Sequence, residues 1–212
     1  MIQIDDAGSG SLIGGTCIGA IRVETEEYYY EIIPLEFYSI ENFNKKLYLD
    51  YVVDIIKKLL YKLKADKNEP IYICRGYMFD KARKWLLDKN YNFESVKIVE
   101  PLQSKIEKSF EEYSISLGLF ETFIRYTKYP FHFHRILKWV YADYENRSNL
   151  CKAGWKSWQK YGNLQTKSSE SFLKKSNYIC LKCGKAIADN SKVKIISYYS
   201  DRCNSVYLHH KC

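Results

Sequence analysis

The 212-residue chain has only four prolines, and it lacks any apolar run near the roughly 20 residues that a bilayer-spanning helix needs. Scarce proline combined with 16% aromatic residues argues against an intrinsically disordered chain. The sequence begins Met-Ile-Gln-Ile-Asp, without the charged region and apolar core of a secretory signal. We therefore expect a folded protein with a cytoplasmic location and no membrane partner.

Acidic residues are scarce in the C-terminal third of the chain. Residues 151–212 contain 12 Lys and Arg against three Asp and Glu, a net charge of +9, whereas residues 1–150 contain 21 against 22, a net charge of −1. A basic block beside a near-neutral body indicates a polyanionic partner, most often nucleic acid. A solvated basic tail that aids solubility is the alternative.

Hydrophobic periodicity predicts a mixed α/β fold. Residues 1–38 alternate as three short strands, which indicates an antiparallel meander. Strands and helices then alternate: a helix over 40–64, a strand over 71–74, a helix over 80–89, a strand over 96–99, and a helix that Pro101 opens and Gly118 ends. This order favours a mixed sheet covered by helices.

The chain is also predicted to contain a small second module. A polar stretch rich in Gly, Asn, Ser and Lys separates the mainly aromatic segment before it from a cysteine-rich end. We assign residues 1–160 to the α/β domain, 161–176 to a linker and 177–212 to a zinc finger. Cytoplasmic cysteines rarely form structural disulfides, and four of the seven lie after residue 179, which favours metal binding.

Two adjacent carboxylates end the first predicted strand. Asp5 and Asp6 offer hard oxygen ligands for Mg²⁺ or Mn²⁺, and Gly8 and Gly10 lack a Cβ, so their N–H groups can approach a phosphate. A polar hairpin turn explains the same residues without a ligand. Both interpretations remain open at this point.

This segment, Asp-Asp-Ala-Gly-Ser-Gly-Ser-Leu with Gly14 following, resembles the opening motif of type 2 ribonucleases H, which runs Asp-Glu-Ala-Gly-Arg-Gly-Pro-Leu. The resemblance implies a ribonuclease H-like fold and a two-ion site that hydrolyses phosphodiesters in an RNA/DNA hybrid or structured DNA. Further carboxylates are then required from later elements. The resemblance implies Asp5, Asp6 and Glu100 as catalytic residues, although Glu100 also fits a solvated strand end or a first helical turn. Asp80 is a further catalytic candidate, with the N-cap of a helix as its more common role.

The chain departs from the family pattern at two positions. Ser9 replaces the arginine between the glycines, and Cys74-Arg75-Gly76 replaces an Asp-Gly pair after the fourth strand. These changes leave two main hypotheses: a metal-dependent nuclease, which is a hydrolase, and an inactive binding or adaptor protein of the same fold. A zinc-dependent transcriptional regulator is a third hypothesis, which requires a groove-reading helix that the sequence does not identify. The candidate nucleic-acid-binding residues are Gly8, Ser9, Gly10, Arg75, Lys152 and Lys156. Trp155 and Trp158 lie close to Lys152 and Lys156 in the sequence and could stack on unpaired bases. Tryptophans three residues apart on a helix are more often core residues.

Cys180 and Cys183 are separated by two residues and followed by Gly184, and His209 and Cys212 repeat the spacing. This set is typical of a closed, structural Zn²⁺ site. His210 and Cys203 compete as ligands, and a redox dithiol is a further alternative. The segment resembles a treble-clef finger, more narrowly half of a LIM domain, which implies that it binds nucleic acid or a protein partner.

Overall fold

The computed structural model describes residues 1–175 and 177–212, and its chain folds into two compact units. The N-terminal unit comprises Met1–Ser9 and Gly14–Ser114, and the C-terminal unit comprises Gly10–Ile13 and Ile115–Cys212. The boundary near residue 114 precedes the boundary near residue 160 that the composition suggests. Within the described residues, no helix is long and apolar enough to cross a membrane.

The N-terminal unit is built on a five-stranded mixed sheet. The sheet order is β3-β2-β1-β4-β5, in which β1 pairs antiparallel with β2 and parallel with β4. The pairing makes β2 the strand that runs opposite to the other four. The strands are β1 (Ile2–Ala7), β2 (Thr16–Arg22), β3 (Glu27–Ile33), β4 (Ile71–Cys74) and β5 (Phe93–Val96). The predicted meander and the predicted strand 71–74 are confirmed.

Helices of the N-terminal unit differ from the predicted ones in their bounds. They are α1 (Ile40–Asn44), α2 (Leu47–Lys62), α3 (Asp80–Asp88) and α4 (Leu102–Ser116), with 3-10 turns at Leu35–Tyr38 and Tyr77–Phe79. The predicted helix over 40–64 is two helices, because Lys46 takes a left-handed conformation with φ of 55°. Apolar residues of α2, including Val52, Ile56 and Leu59, are fully buried against the sheet residues Ile4 and Ile18 in one core.

The predicted strand over 96–99 lies three residues too late. β5 ends at Val96 because its four residues pair one to one with the four of β4, from Ile71 with Phe93 to Cys74 with Val96. Glu100 therefore lies four residues beyond the strand, in the segment that leads into α4. Its predicted position at a strand end is wrong.

The C-terminal unit combines short helices with a three-stranded antiparallel sheet of order β6-β7-β8. Its elements are α5 (Glu121–Tyr126), α6 (Phe133–Tyr141), α7 (Tyr144–Arg147), a 3-10 turn (Ser148–Leu150), α8 (Lys156–Tyr161), β6 (Thr166–Leu173), β7 (Ser191–Tyr199) and β8 (Cys203–His209). The strand β6 occupies part of the stretch assigned to a linker. Ser176, within that stretch, lies outside the described residues.

The core of the C-terminal unit includes α6 and both ends of its cysteine-rich segment. Trp139 and Val140 of α6 are buried together with Cys180 and with Val206 of β8. The early segment Gly10–Ile13 also belongs here, because Ile13 bridges Cys151 and the Lys152 amide donates to the Leu12 carbonyl at 2.9 Å. The cysteine-rich segment is thus packed within a larger core.

Candidate functional site

The strongest candidate site is a group of three cysteines and one histidine in the C-terminal unit. Cys180 and Cys183 lie in a tight turn, in which the Gly184 amide donates to the Cys180 carbonyl at 2.8 Å and Gly184 has φ of +76°. His209 is the last residue of β8, and the Cys212 amide donates back to the His209 carbonyl at 3.0 Å. The turn and the strand end therefore present two ligands each.

The distances within this group suit a tetrahedral metal site. The ligand atoms of Cys180, Cys183, His209 and Cys212 all lie within 4.8 Å of one another. Nδ1 of His209 is 3.2 Å from Sγ of Cys183 and 3.9 Å from Sγ of Cys212. Tetrahedral zinc, with bonds of about 2.3 Å to sulfur and about 2.0 Å to nitrogen, places ligand atoms about 3.5–3.8 Å apart. The four residues can therefore hold a metal ion such as zinc.

Hydrogen bonding distinguishes His209 from its neighbour. Nε2 of His209 lies 3.1 Å from the Ala186 carbonyl, which as an acceptor fixes the proton on Nε2 and leaves Nδ1 free to bind metal. His210 instead contacts Glu170 at 2.7 Å, and Cys203 is exposed at the start of β8. In the part of the chain that the structure describes, the four predicted ligands are the one group of three or more potential metal ligands that converges.

Backbone amides prepare one thiol of the group for ionisation. Burial opposes ionisation of Cys180, but amide hydrogen bonds from His209, Cys183 and Lys182 lower its pKa to about 7. Burial and the neighbouring thiols of Cys183 and Cys180 raise the pKa of Cys212 to about 12. A cation is therefore needed to hold all the thiols as thiolates together.

A buried guanidinium supports the turn that carries Cys180 and Cys183. Arg147 donates to the carbonyls of Leu181 at 2.7 Å and Lys182 at 3.0 Å, and also to Trp139 of α6 at 2.7 Å. Its Cζ lies 4.0 Å from the centroid of the Trp139 ring. Burial lowers the pKa of Arg147, and the charges of Asp143 and Cys180 oppose that shift. Sequence reasoning missed this residue, since nothing in its local pattern marks it.

The second candidate site is the carboxyl end of β1, where Asp5 and Asp6 lie half-buried. Burial raises the pKa of Asp5, and the charge of Glu107 in α4 raises it further. Hydrogen bonds from the Cys74 thiol and from the Asp6 amide, at 2.9 Å to Oδ1, act in the opposite direction. A half-buried carboxylate with other carboxylates near it is common at functional sites.

Sequence reasoning noted Cys74 at the end of the fourth strand but did not connect it, or Glu107, with Asp5. Burial raises the pKa of Cys74 to about 11, so the side chain stays a thiol that can donate to Asp5. Glu107 is an exposed residue of α4 that accepts a hydrogen bond from the Gln103 side chain at 3.2 Å, so its effect on Asp5 is electrostatic. No local pattern marks Glu107, whereas its place at the end of β4 marks Cys74.

The other two predicted catalytic residues bond to neighbours in their own segments. Glu100 is exposed just before α4 and accepts a hydrogen bond from the hydroxyl of Ser104 in the first turn of that helix. Asp80 is the first residue of α3 and pairs with Arg83 one turn later. Among the described residues, Asp5, Asp6, Glu100 and Asp80 do not form a convergent ligand group.

The predicted phosphate loop has a packing explanation for its first glycine. Gly8 has φ of +84°, and a Cβ there would meet the Phe110 ring at 2.1 Å, so only glycine fits. Ser9 is half-buried, whereas Gly10 is exposed with open space around it. Arg75 is exposed, and its Nε donates to the Ser95 carbonyl at 3.4 Å.

The two predicted nucleic-acid-binding lysines differ. Lys152 is completely buried, with Nζ 5.0 Å from the centroid of the Trp155 ring, so it cannot contact a phosphate at the surface. Lys156 is exposed at the start of α8. Trp155 and Trp158 pack against the core of the C-terminal unit, as the core interpretation expects.

Comparison of the chain with protein-family models found no matching family, and comparison with curated proteins found no matching sequence.

Proposed function

We propose that this chain is a nucleic-acid-binding protein in which a ribonuclease H-like unit is joined to a basic unit stabilised by zinc. The observation that carries the proposal is the separation of charge between the two units. The C-terminal unit contains 17 Lys and Arg against six Asp and Glu, a net charge of +11, and the N-terminal unit has −3. A unit with this excess attracts polyanions and releases counterions from them on binding.

The strand order of the N-terminal unit supports its assignment to the ribonuclease H-like fold. An antiparallel meander leads into β4 and β5, which continue the sheet on the far side of β1. Asp5 lies at the carboxyl end of the central strand, as the opening motif of that family implies. The order of elements along the chain and this position of Asp5 support the assignment.

The residues at the carboxyl end of β1 favour a nucleic-acid-binding protein without catalysis over a two-ion phosphodiesterase. Where the family carries an aspartate after β4, this chain presents the Cys74 thiol to Asp5. Magnesium prefers hard oxygen ligands, and a protonated thiol is a poor one. Two carboxylates, Asp5 and Asp6, with Glu107 nearby do not replace the missing oxygen ligands. The residues present therefore do not fit a two-ion centre.

The Cys₃His group acts in this proposal as a structural zinc site. Four protein ligands fill a tetrahedron, so no position remains for a reacting water. The ligands come from a turn and from the end of β8, so zinc holds together two segments of the C-terminal unit. Zinc supplies stability here, and the exposed basic side chains supply contacts.

A binding panel at several salt concentrations tests the proposal. Labelled single-stranded RNA and DNA, an RNA/DNA hybrid and branched DNA are titrated with the full chain, and fluorescence anisotropy is measured. We expect binding that weakens steeply with salt, with a log–log slope of about −0.7 to −0.9 for each phosphate contacted. Absence of binding to all four, or binding without salt dependence, contradicts the proposal.

The adjacent carboxylates of Asp5 and Asp6 in β1 leave a second candidate, a phosphodiesterase that uses a single Mg²⁺ or Mn²⁺ ion on nucleic acid. The test measures cleavage of the hybrid and the branched DNA with each ion. Asp5→Asn is compared with Asp88→Asn, which alters an exposed aspartate at the end of α3. Ion-dependent cleavage lost only in Asp5→Asn supports this candidate, and cleavage unaffected by Asp5→Asn contradicts it.

A further inference from the structure

A cluster of cations in the C-terminal unit lines a surface cavity of about 270 Å³. We name Lys128, Arg135, Lys138 and Arg202 the basic pocket. His132 and His134 complete its lining together with Tyr129. The cationic side chains come from the segment before α6, from α6 itself and from the turn between β7 and β8.

The four cations of the basic pocket lie close together, and no carboxylate is among the described residues that line the cavity. In residues 1–175 and 177–212, no ion pair includes any of its four cations. The nearby Asp201 is engaged by Lys160 and by the Tyr161 hydroxyl. Burial and the charges of Arg135 and Arg202 lower the pKa of Lys138. An anion in the cavity would relieve this repulsion.

An aromatic groove adjoins the basic pocket. This second cavity, of about 340 Å³, shares Lys128, Arg135 and Lys138 with the pocket. We name Tyr126, Tyr178 and Tyr207, which also line it, the tyrosine groove. The ring centroids of Tyr178 and Tyr207 are 4.4 Å apart, and the side chains of Tyr126 and Tyr178 are 73% and 48% exposed. Ring faces and cations thus lie side by side on one surface.

We infer that the basic pocket and the tyrosine groove together bind single-stranded nucleic acid, with phosphates at the cations and a base against Tyr178. The inference deepens the proposed function by naming the surface and the class of nucleic acid. Aromatic side chains stack on unpaired bases while cations follow the backbone, and a duplex keeps its base faces hidden. Tyr178 and Tyr207 each lie two residues before a metal ligand, so the Cys₃His group also positions the groove.

Paired substitutions test the basic pocket. The variant Arg135→Ala with Lys138→Ala removes two cations from it, and the matched control Lys167→Ala with Lys174→Ala removes two exposed cations elsewhere in the unit. Binding of a labelled 15-nucleotide oligo(U) and oligo(dT) is measured by anisotropy across a salt series. We expect the pocket variant to lose at least tenfold in affinity and to reduce the log–log salt slope by about 1.4, because single strands contribute about 0.7 per phosphate contact. The control should retain the wild-type slope.

A second pair of variants tests the groove. Tyr178→Leu removes the ring, whereas Tyr178→Phe keeps it. We expect Tyr178→Leu to weaken binding by about fivefold or more at every salt concentration, as loss of one stacked base does, and Tyr178→Phe to bind like the wild type. Zinc content and thermal unfolding are measured for each variant to verify that the unit remains folded. Equal binding by folded Tyr178→Leu and Tyr178→Phe overturns the stacking role.

The outcomes separate this inference from the proposed function. Equal losses in the pocket variant and its control mean that binding is spread over the basic unit, which overturns the inference and leaves the proposed function intact. Duplex binding without single-strand binding does the same. Displacement of oligo(U) by UMP at equal phosphate concentration assigns the pocket to mononucleotides and overturns the single-strand inference. No binding of any nucleic acid overturns both.

Discussion

The two units of this chain use different means to stabilise their cores. The N-terminal core is mainly aliphatic, with Ile4, Ile56 and Leu59 fully buried between the sheet and α2, although Tyr38, Tyr48 and Phe79 are buried in it as well. The C-terminal core is richer in aromatic residues and includes Cys180, which is fully buried. The first core is mainly hydrocarbon with a buried hydrogen bond between the Thr16 and Tyr38 hydroxyls, whereas the second places the thiols of the Cys₃His group at the edge of its packing.

The contrast extends to charge. The C-terminal unit carries +11 and the N-terminal unit −3, so the unit proposed to need zinc for stability is also the more strongly self-repelling one. Net positive charge opposes compaction. A metal whose binding energy is coupled to folding offsets that repulsion. In this proposal the Cys₃His group therefore compensates for the repulsion within the basic unit.

The largest expected effect is the unfolding of the C-terminal unit alone, after loss of one ligand of the Cys₃His group. Cys180→Ser removes a buried ligand, and structural zinc contributes about 10–16 kcal/mol to folding in small zinc modules. We expect loss of bound zinc and rapid proteolysis within 115–212, while 14–114 stays protected. Elemental analysis and limited proteolysis with mass spectrometry measure both. Cys203→Ser, at an exposed cysteine outside the group, is the control and should retain zinc.

An aliphatic truncation should break the N-terminal unit instead. Ile56 is completely buried in α2, so Ile56→Ala leaves a cavity and should cost about 2–5 kcal/mol of unfolding free energy. Urea denaturation measures the loss, and zinc content should stay at the wild-type value. Leu87→Ala, at a side chain 66% exposed in α3, is the matched control. Loss of zinc in Ile56→Ala would show that zinc binding in the C-terminal unit depends on the N-terminal core, which contradicts the separate stabilisation of the two units.

Replacement of Arg147 should loosen the metal-binding turn. Arg147→Met removes the donors to the Leu181 and Lys182 carbonyls, for an expected loss of about 2–3 kcal/mol. Groups that orient metal ligands typically contribute about 10- to 100-fold to metal affinity. Competition with a chromogenic chelator measures zinc affinity, and Arg125→Met, at an exposed ion pair with Glu121, is the control. Unchanged affinity in folded Arg147→Met would exclude a positioning role.

The sequence predicted those strands and ligands whose position depends on residues close to them in the chain. Alternation was sufficient for β1 to β4, and the paired spacing indicated the ligand group while leaving His210 and Cys203 as competing ligands. Pairing between distant residues decided the rest. The strand β6 is polar and almost wholly exposed, so only its hydrogen bonds with β7 identify it as a strand.

The candidate sites show the same limit. The choice of His209 over His210 depends on the carbonyl of Ala186, 23 residues away in the sequence. Lys152 looked like a surface cation in a basic segment, but its amide pairs with Leu12 and its side chain is buried. The parallel pairing of β1 with β4 brings Cys74 to Asp5, and the charge of Glu107 in α4 acts on Asp5 through space. Such neighbours are set by tertiary structure.

The smallest effect concerns Asp5 and the pH dependence of the N-terminal unit. Burial raises the folded-state pKa of Asp5 above its ordinary value of 3.8, with a further rise from Glu107. The folded protein therefore holds this proton more tightly, and the associated stability, present at low pH, is lost as pH rises through the raised pKa. Asp5→Asn keeps the acceptor for the Asp6 amide but removes the charge. We expect a slightly higher melting temperature than wild type at pH 7, with the advantage shrinking toward pH 4. Glu111→Gln, at an exposed position of α4, should change neither value, and a lower melting temperature for Asp5→Asn at pH 7 would mean that the ionised carboxylate stabilises the strand end.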